Sequence, residues 1–267
     1  MLVNYHTHTT FCDGKDEPEA IVAYAIENGI DGVGFSAHGY TSYDYSYCLR
    51  DLEGYIAEIN RLKEKYAGKI AVLLGVEEDS RSLMPRERFD YIIGSCHYIT
   101  VDGKSYSIDS SLEHFKRCLD AFKGDTLQLA DAYYRHFCEY ILARKPDIVG
   151  HFDLITKFDE LDGEDRFLHD EKYLSLAERY LASVAGNGRI FEVNTGAVCR
   201  GYRTTPYPHE RLLYALKKAG GRVTVSSDSH AKETLCFGFE EAKKLLKEVG
   251  FSTVCVLTEN GWKDTEM

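Results

Sequence analysis

Short apolar runs alternate with longer amphipathic segments along most of the chain. The apolar runs have the length and composition of buried strands, and they lie at residues 2–5, 32–36, 70–76, 91–95, 148–150, 190–193, 222–225 and 253–257. The amphipathic segments carry apolar side chains at helical spacing and lie at residues 18–28, 52–66, 112–122, 127–143, 172–185, 210–219 and 233–249. Strands that alternate with helices in this way predict parallel βαβ units and an α/β fold.

The ends of the predicted helices carry recognisable signals. Segment 18–28 opens with Pro18 and acidic residues and stops at Gly29, as helix starts and stops commonly do. No linker rich in Gly, Ser or Pro, no internal repeat and no low-complexity segment divides the chain. We therefore expect one domain over residues 1–267. The charged stretch 159–170 predicts an exposed insertion.

The charge of the chain narrows the class of partners. Its 267 residues carry 32 basic and 43 acidic side chains, which gives a formal net charge of −11. An acidic surface disfavours non-specific binding to nucleic acid or anionic lipid, so we expect neither nucleic acid nor membrane as a partner. A small phosphorylated substrate is compatible with this charge, because bound metal ions can reverse the potential inside a pocket.

No N-terminal signal is visible in this sequence. It begins without a basic segment followed by an apolar one, and no run approaches the roughly 20 apolar residues of a membrane span. None of its eight cysteines forms a C-x-x-C pair. These features predict a cytoplasmic protein with reduced thiols. Cys12 and Cys96 lie beside candidate ligands and are interpreted as packing residues.

Two pairs of potential metal ligands lie near opposite ends of the chain. His6 and His8 follow the first apolar run, and Asp228 and His230 follow the run at 222–225. Side chains two residues apart in a strand point to the same face, so each pair has the spacing of a chelate. One such pair is weak evidence, but its repetition predicts a single site closed by both ends of the chain.

Further candidate ligands follow the other predicted strands, namely His38, Glu77, His97 and His151. Parallel barrels build their active sites at this edge of the strands, and six of the ten histidines occur there. Each histidine taken alone is equally compatible with a core residue bonded to backbone, and residues 77–79 are also compatible with a solvated turn. Strand alternation favours Glu77 as the inward-facing acid. The remaining histidines are interpreted as surface residues: His114, His136, His169 and His209.

With Asp13 added, the candidates comprise six imidazoles and three carboxylates. That set is too large for one ion, and with water and substrate oxygens it suffices for three. Nitrogen and oxygen ligands without thiolate suit Zn, Fe or Mn. Three divalent ions against three carboxylates leave roughly three positive charges in the pocket. This balance predicts a receptor for a phosphate dianion.

The order of these residues resembles the PHP (polymerase and histidinol phosphatase) superfamily over essentially the whole chain. The motifs that carry the resemblance are His6-Thr-His8-Thr-Thr-Phe-Cys-Asp13-Gly, Ser36-Ala-His38, Gly75-Val-Glu77, Gly94-Ser-Cys-His97-Tyr, Gly150-His151-Phe-Asp, Glu192-Val-Asn-Thr and Ser227-Asp228-Ser-His230. The chain looks most similar to the histidinol-phosphate phosphatase branch. The resemblance implies a distorted seven-stranded (β/α) barrel with three metal ions at the C-terminal ends of its strands.

The resemblance also implies roles for individual residues. The first ion would be held by His6, His8, Glu77 and Asp228, the second by Asp13, His38 and His230, and the third by Glu77, His97 and His151, with Glu77 as the bridge. Arg200 matches an arginine that binds substrate phosphate, and Lys157 is a second candidate for a phosphate contact. Asp228, His230 and Arg200 are thereby the candidate catalytic residues.

The activity implied is that of a metal-dependent phosphomonoesterase, which hydrolyses L-histidinol phosphate to L-histidinol and phosphate in histidine biosynthesis. A phosphodiesterase or nucleotide phosphatase on the same scaffold is the alternative, although the net charge of −11 and the lack of a basic stripe disfavour it. A non-enzymatic barrel with a structural metal site is a third possibility. The tyrosine-rich segment 39–49 either lines the substrate pocket or forms a solvent-facing lid. The oligomeric state is left open.

Overall fold

A computed structural model describes residues 1–161, 163–186, 188–258 and 260–267. The strands are, in chain order, β1 (Val3–Asn4), β2 (Gly32–Phe35), β3 (Ala71–Asp79), β4 (Tyr91–Ser95), β5 (Tyr98–Val101), β6 (Lys104–Ser107), β7 (Ile148–Val149), β8 (Ile190–Asn194), β9 (Arg222–Ser226), β10 (Thr253–Thr258) and β11 (Gly261–Glu266). Seven of them form a parallel sheet in the order β1-β2-β3-β4-β7-β8-β9. The pairs β5–β6 and β10–β11 form antiparallel hairpins.

Helices surround this sheet. They are α1 (Pro18–Glu27), α2 (Leu52–Lys65), α3 (Leu112–Ala121), α4 (Thr126–Arg144), α5 (Glu171–Val184), α6 (Gly196–Cys199), α7 (Glu210–Lys218) and α8 (Phe239–Val249). Side-chain oxygens cap the first turns of several helices, as Asp51, Ser111, Asp125 and Asp170 do. The predicted seven-stranded (β/α) barrel is confirmed. Within the described residues, no helix combines the length and apolarity needed to cross a membrane.

The barrel closes where the first strand meets the last. Beyond β1 and β9, the amide of His8 donates to the carbonyl of Ser229 at 2.8 Å, and the amide of Ser229 donates to the carbonyl of His6 at 3.0 Å. The buried Asn4 side chain joins the same seam, because its Nδ2 donates to Ser227 Oγ at 2.9 Å and its Oδ1 accepts from the Ser227 amide at 3.1 Å. The seam therefore lies beside both predicted chelating pairs.

Apolar residues fill the amino-terminal end of the barrel interior. The Tyr91 ring lies across the barrel, and its hydroxyl donates to the carbonyl of Tyr5 at 2.5 Å. Gly34 and Gly75 make room for this ring, since a Cβ atom at either position would lie 2.3 Å or less from a Tyr91 atom. Tyr5 in turn packs against Trp262 of the β10–β11 hairpin, with ring centroids 5.0 Å apart. The polar site is thus left to the opposite end of the strands.

Two local expectations differ from the structure near the C-terminus. The predicted helix 233–249 begins only at Phe239, because Gly238 has φ +70° and separates α8 from a 3₁₀ turn at Lys232–Thr234. The apolar run 253–257 is a strand, but it pairs with β11 and lies outside the seven-stranded sheet. Its apolar side chains pack against the base of the barrel instead.

The prediction of an exposed insertion at 159–170 is wrong for Asp159, Phe167 and Leu168. The Asp159 carboxylate is buried and accepts hydrogen bonds from the amides of Arg166, Phe167 and Leu168 at 2.8–3.0 Å. Phe167 and Leu168 are also buried. The prediction rested on the charge of the stretch, but the Asp159 carboxylate is buried because backbone amides of the same stretch donate hydrogen bonds to it. Asp162 lies outside the described residues.

We expect Gly75→Ala to lower the free energy of unfolding by about 3 kcal/mol, because the added methyl group would overlap the Tyr91 ring. The ring cannot move aside without losing its hydrogen bond to Tyr5. Urea denaturation of both proteins measures the difference. Gly186→Ala is the control, since a Cβ there meets no atom within 4 Å; equal stability of the two variants would contradict the prediction.

Candidate metal centre

All nine predicted ligands come together at the C-terminal end of the barrel. The six histidines and Asp228 follow or extend the strands at this end, and Glu77 lies within β3. Asp13 lies in the turn after His8. That turn is tight, because a Cβ atom on Gly14 would lie 2.4 Å from the backbone of His8 and Thr9, and the Lys15 amide donates to the His230 carbonyl at 2.9 Å.

Glu77 lies at the centre of the group and is 1% exposed. Its Oε2 lies 2.8 Å from His38 Nδ1, 3.1 Å from His6 Nε2 and 3.5 Å from His8 Nε2. Its Oε1 lies 3.0 Å from His151 Nε2 and 3.2 Å from His97 Nε2. One carboxylate therefore faces five imidazoles, as the predicted bridging position requires.

Two further carboxylates lie on the side of the barrel seam. Asp228 Oδ1 is 3.1 Å from His8 Nε2 and 3.6 Å from His6 Nε2. Asp13 Oδ1 is 3.7 Å from His38 Nε2, and its Oδ2 is 3.4 Å from His230 Nε2. The ligands on this side include the more exposed ones, because the Asp13 side chain is 34% exposed and that of His230 is 23% exposed. This side of the centre is therefore the one open to substrate.

The donor atoms form four overlapping groups, each with its atoms within 4.8 Å of one another. The groups are His8, Asp13, His38 and His230; His6, His8 and Asp228; His6, Glu77 and His151; and His38, Glu77 and His97. The first two contain the seam-side ligands that the resemblance assigns to separate ions. Glu77 belongs to the other two, which agrees in geometry with a shared ligand. The assignment of each residue to an ion stays a prediction.

Unpartnered buried atoms indicate that the centre is built for cations. His6 Nε2, His8 Nε2 and Glu77 Oε2 are buried and accept or donate no hydrogen bond within the described part of the chain. Leaving such atoms unpaired is costly in a low-dielectric interior. Divalent ions bound by imidazole nitrogen and carboxylate oxygen would satisfy all three atoms. The residues present therefore fit the metal ions that the resemblance implies.

The electrostatics of the buried group keep its carboxylates ionised. Burial raises the pKa of Glu77, but the surrounding imidazoles, His6 first, outweigh this and hold it well below its ordinary value. The pKa of Asp228 is likewise raised by burial and held well below its ordinary value by Arg200 and the neighbouring imidazoles. Burial, together with His230 and His38, lowers the pKa of His8 to about 3. His8 is therefore neutral at pH 7, as a metal ligand must be.

Glu192 is a functional residue to which sequence reasoning assigned no role. It is buried in β8, and its Oε2 accepts from His6 Nδ1 at 2.9 Å. Its Oε1 accepts from the His151 amide at 2.6 Å and from Asn194 Nδ2 at 2.9 Å. A carboxylate behind a ligating histidine fixes the tautomer and the orientation of the ring. The sequence signal was available, because Glu192 begins one of the quoted motifs.

Residues 78 and 79 are buried with Glu77, so the alternative of a solvated turn is wrong. Asp79 Oδ2 accepts from the His97 amide at 3.0 Å and lies 3.4 Å from His97 Nδ1. Glu78 points to the outside of the barrel and forms a bidentate ion pair with Arg144, both contacts at 2.7 Å. Asp79 thus supports a candidate ligand, whereas Glu78 joins β3 to α4.

Arg200 lies directly beside the centre. Its Nη2 contacts Asp228 Oδ2 at 2.9 Å, and its Nη1 donates to the Asp228 carbonyl at 2.9 Å. These contacts hold Asp228 at φ +47°, a left-handed conformation that is rare for residues other than glycine. Gly196 permits this approach, since a Cβ there would lie 2.8 Å from that of Asp228. Arg200 is therefore a fixed cation at the edge of the metal centre.

The centre forms the base of a cavity of about 340 Å³. Lys157, the second candidate for a phosphate contact, lines the cavity, and its Nζ donates to the Asp109 carbonyl at 2.6 Å. Tyr47 lines the cavity as well, with its ring edge-on to His38 at 4.8 Å between centroids. Tyr40 and Tyr45 are exposed instead. The tyrosine-rich segment therefore contributes both to the pocket and to the solvent-facing surface.

The histidines interpreted as surface residues lie away from the centre. His114 and His169 are exposed, whereas His136 and His209 are half-buried. His209 caps α7 by accepting from the Arg211 amide, and His136 Nε2 lies 3.0 Å from Ser80 Oγ. The interpretation is thus correct for two of the four, and the other two have structural contacts.

Comparison with known proteins places this chain in a family. The model of the PHP domain matches residues 4–196. The chain belongs to the PHP domain family. A Schizosaccharomyces pombe protein named "Probable histidinol-phosphatase" is 28% identical, and the match covers 96% of this chain and 90% of that protein.

Two solved structures have the same PHP fold. The structure of a candidate histidinol phosphatase from Listeria monocytogenes has a TM-score of 0.77 and 25% identity, with 90% of this chain and 99% of that chain covered. The structure of histidinol phosphate phosphatase from Lactococcus lactis, complexed with Zn, L-histidinol and phosphate, has a TM-score of 0.70 and 20% identity, with 98% of each chain covered. The barrel is therefore shared along almost its whole length.

We expect Glu192→Gln to weaken zinc binding by about 10- to 100-fold, because a neutral amide no longer fixes the His6 ring as a carboxylate does. Competition with a chelator of known zinc affinity measures the effect. Glu53→Gln is the control, since the Glu53 side chain is 76% exposed on α2. Unchanged zinc affinity in the folded Glu192 variant would show that this carboxylate does not support the metal ligand.

Proposed function

We propose that this PHP protein hydrolyses L-histidinol phosphate to L-histidinol and phosphate, as one catalytic domain with bound metal ions. The proposal rests on one observation: nine candidate metal-ligand side chains lie beside Arg200 at the base of one cavity. The names of the relatives support the choice of substrate, and so does the L-histidinol and phosphate complex of the Lactococcus lactis protein. Histidine biosynthesis is the pathway that this reaction serves.

The residues present suit three divalent ions, which we propose to be Zn, Fe or Mn. The proposed ligands are the nine already described: His6, His8, Asp13, His38, Glu77, His97, His151, Asp228 and His230. When bound, such ions supply Lewis-acid stabilisation of phosphoryl oxygens and lower the pKa of water to near neutrality. The zinc in the Lactococcus lactis structure supports one of the three choices.

The side chains around the ions would bind and orient the phosphate group. Arg200 presents a planar guanidinium that is suited to two phosphate oxygens at once, and Asp228 fixes its position through Nη2. Lys157 lines the same cavity and would add a second, less directional positive charge. Both cations therefore stabilise the negative charge that the phosphoryl group carries through the reaction.

His230 and Asp228 are the other two proposed catalytic residues, and they contact each other beside the phosphate position. His230 Nδ1 lies 3.0 Å from the Asp228 carbonyl oxygen, to which it can donate, and this directs Nε2 towards Asp13. Burial lowers the pKa of His230, but Asp13 and Asp228 outweigh this and raise it. The half-open position of this imidazole, 23% exposed, brings it within reach of a substrate in the cavity.

We expect the protein purified without chelator to release phosphate from L-histidinol phosphate, and we expect a chelator to abolish this activity. Adding Zn, Fe or Mn should restore the activity, because the bound ions are the only groups proposed to activate the nucleophile. A malachite-green phosphate assay measures the rate, with p-nitrophenyl phosphate and nucleoside monophosphates as comparison substrates. Faster release from a nucleotide than from L-histidinol phosphate would overturn the substrate assignment and favour the nucleotide phosphatase alternative.

We expect Arg200→Lys to lower kcat/KM for L-histidinol phosphate by about 10- to 100-fold, because lysine cannot make the two parallel hydrogen bonds of a guanidinium. Product inhibition by inorganic phosphate should weaken in parallel. Steady-state kinetics with added phosphate tests both effects. Arg88→Lys is the control, since Arg88 pairs with Glu53 at the surface. Wild-type phosphate inhibition in the Arg200 variant would exclude the proposed phosphate contact.

A further inference from the structure

The cavity wall carries two carboxylates that the proposed metal site does not use. Asp44 lies in the tyrosine-rich segment, and Asp109 follows β6; both line the cavity. The base of the same cavity is the metal centre with Arg200, which suits an anion. A ligand that fits both parts therefore carries a negative group at one end and a positive group beside it.

The oxygens of Asp44 are already engaged by neighbouring residues. Oδ1 accepts from the amide and the hydroxyl of Ser46, at 2.9 and 2.6 Å. Oδ2 accepts from the Tyr98 hydroxyl at 2.6 Å. These short contacts hold the cavity wall in shape, and they leave Asp44 little capacity for a ligand.

Asp109 retains acceptor capacity. In the described parts of the chain, its carboxylate has two contacts, the Ser107 hydroxyl at 3.5 Å from Oδ1 and Lys157 Nζ at 3.5 Å from Oδ2. Both distances are long for a hydrogen bond, whereas an ionised carboxylate can accept about four. Lys157 is held chiefly by the backbone carbonyl of Asp109, at 2.6 Å. The Asp109 carboxylate is therefore available to accept a hydrogen bond from another donor.

The backbone around Asp109 is fixed relative to the metal centre. Ile108 is fully buried, and its amide donates to the carbonyl of the candidate ligand His97 at 3.0 Å. The Ser107 hydroxyl accepts from the Asp109 and Ser110 amides, at 3.4 and 3.0 Å. A carboxylate on such a tethered turn is held at a constant position above the centre, which favours specific recognition.

The chemistry of the proposed substrate matches this arrangement. In L-histidinol phosphate the ammonium group is on the carbon next to the one that carries the phosphate ester. When the phosphate binds at the base of the cavity, the ammonium group therefore lies a short distance along the cavity wall. We infer that Asp109 accepts a hydrogen bond from this ammonium group and thereby selects phosphate esters of amino alcohols. The inference rests on the proposed function, and it names the group that distinguishes this substrate from other monoesters.

A different role for Asp109 leads to a different result. If its carboxylate only positioned Lys157, its loss would affect every phosphate ester alike, because Lys157 would act on the phosphate. If it binds the ammonium group, its loss affects only esters that have one. A pair of substrates that differ in the amino group alone separates the two roles.

The experiment measures kcat/KM for L-histidinol phosphate and for its desamino analogue, imidazolylpropyl phosphate, with metal-loaded protein. We expect the wild type to prefer the amine, and we expect Asp109→Asn to reduce the ratio of the two values by about 10- to 100-fold. The asparagine keeps the backbone carbonyl that holds Lys157. Asp44→Asn is the matched control and should lower both values by one common factor, so that its ratio stays at the wild-type level.

Each other outcome has a defined meaning. Equal losses on both esters in Asp109→Asn, or a collapsed ratio in Asp44→Asn alone, would overturn the assignment of Asp109. Wild-type protein that hydrolyses both esters equally well would overturn selection of the amine and leave the phosphatase function standing. Wild-type protein that hydrolyses neither ester would reject the proposed function, and the inference with it. Circular dichroism establishes that each variant is folded.

Discussion

The burial of the Glu77 carboxylate is the constraint on which the rest of the site depends. An ionised carboxylate removed from water is strongly destabilising unless charges and donors surround it. Here five imidazoles lie within 3.5 Å of its two oxygens, and they come from four different strand ends. Imidazoles alone satisfy this group only in part, because Oε2 has no hydrogen bond in the described residues. Bound cations would complete the balance, and metal binding would then be coupled to folding.

The same coupling extends to the closure of the barrel. His6 and His8 lie on one side of the seam, and Asp228 and His230 lie on the other, while the backbone link between them is the pair of hydrogen bonds at Ser229. An ion held by His8 and Asp228, whose atoms are 3.1 Å apart, would join the first and last strands directly. The metal centre would therefore reinforce the single backbone bridge between Thr7 and Ser229, which follows β1 and β9.

The parts of the fold that follow from side-chain periodicity could be predicted, as the barrel strands and the histidines after them were. Long-range contacts could not. Glu192 lies 186 positions from His6, and its place in a motif does not reveal that it contacts that histidine. The β5–β6 hairpin contains no clear apolar run, so its strands went unrecognised, although Asp109 directly follows it. Charge density suggested an exposed stretch around Asp159, yet three backbone amides satisfy that carboxylate. In each case the deciding interaction is between residues that the sequence does not pair.

Rigid and variable parts of the molecule take separate roles in this site. The candidate ligands stand on or directly after strands of the sheet, where the register of hydrogen bonds fixes their spacing. Arg200 belongs to the same rigid layer, because Asp228 holds it on two sides. Tyr47, Asp109 and Lys157 instead lie on connections above the sheet, the kind of segment that varies most among related proteins. Under the proposed function, the barrel ligands and Arg200 bind the phosphate together with Lys157, whereas Asp109 selects the alcohol, so a change of alcohol would require substitutions on the connections rather than in the barrel.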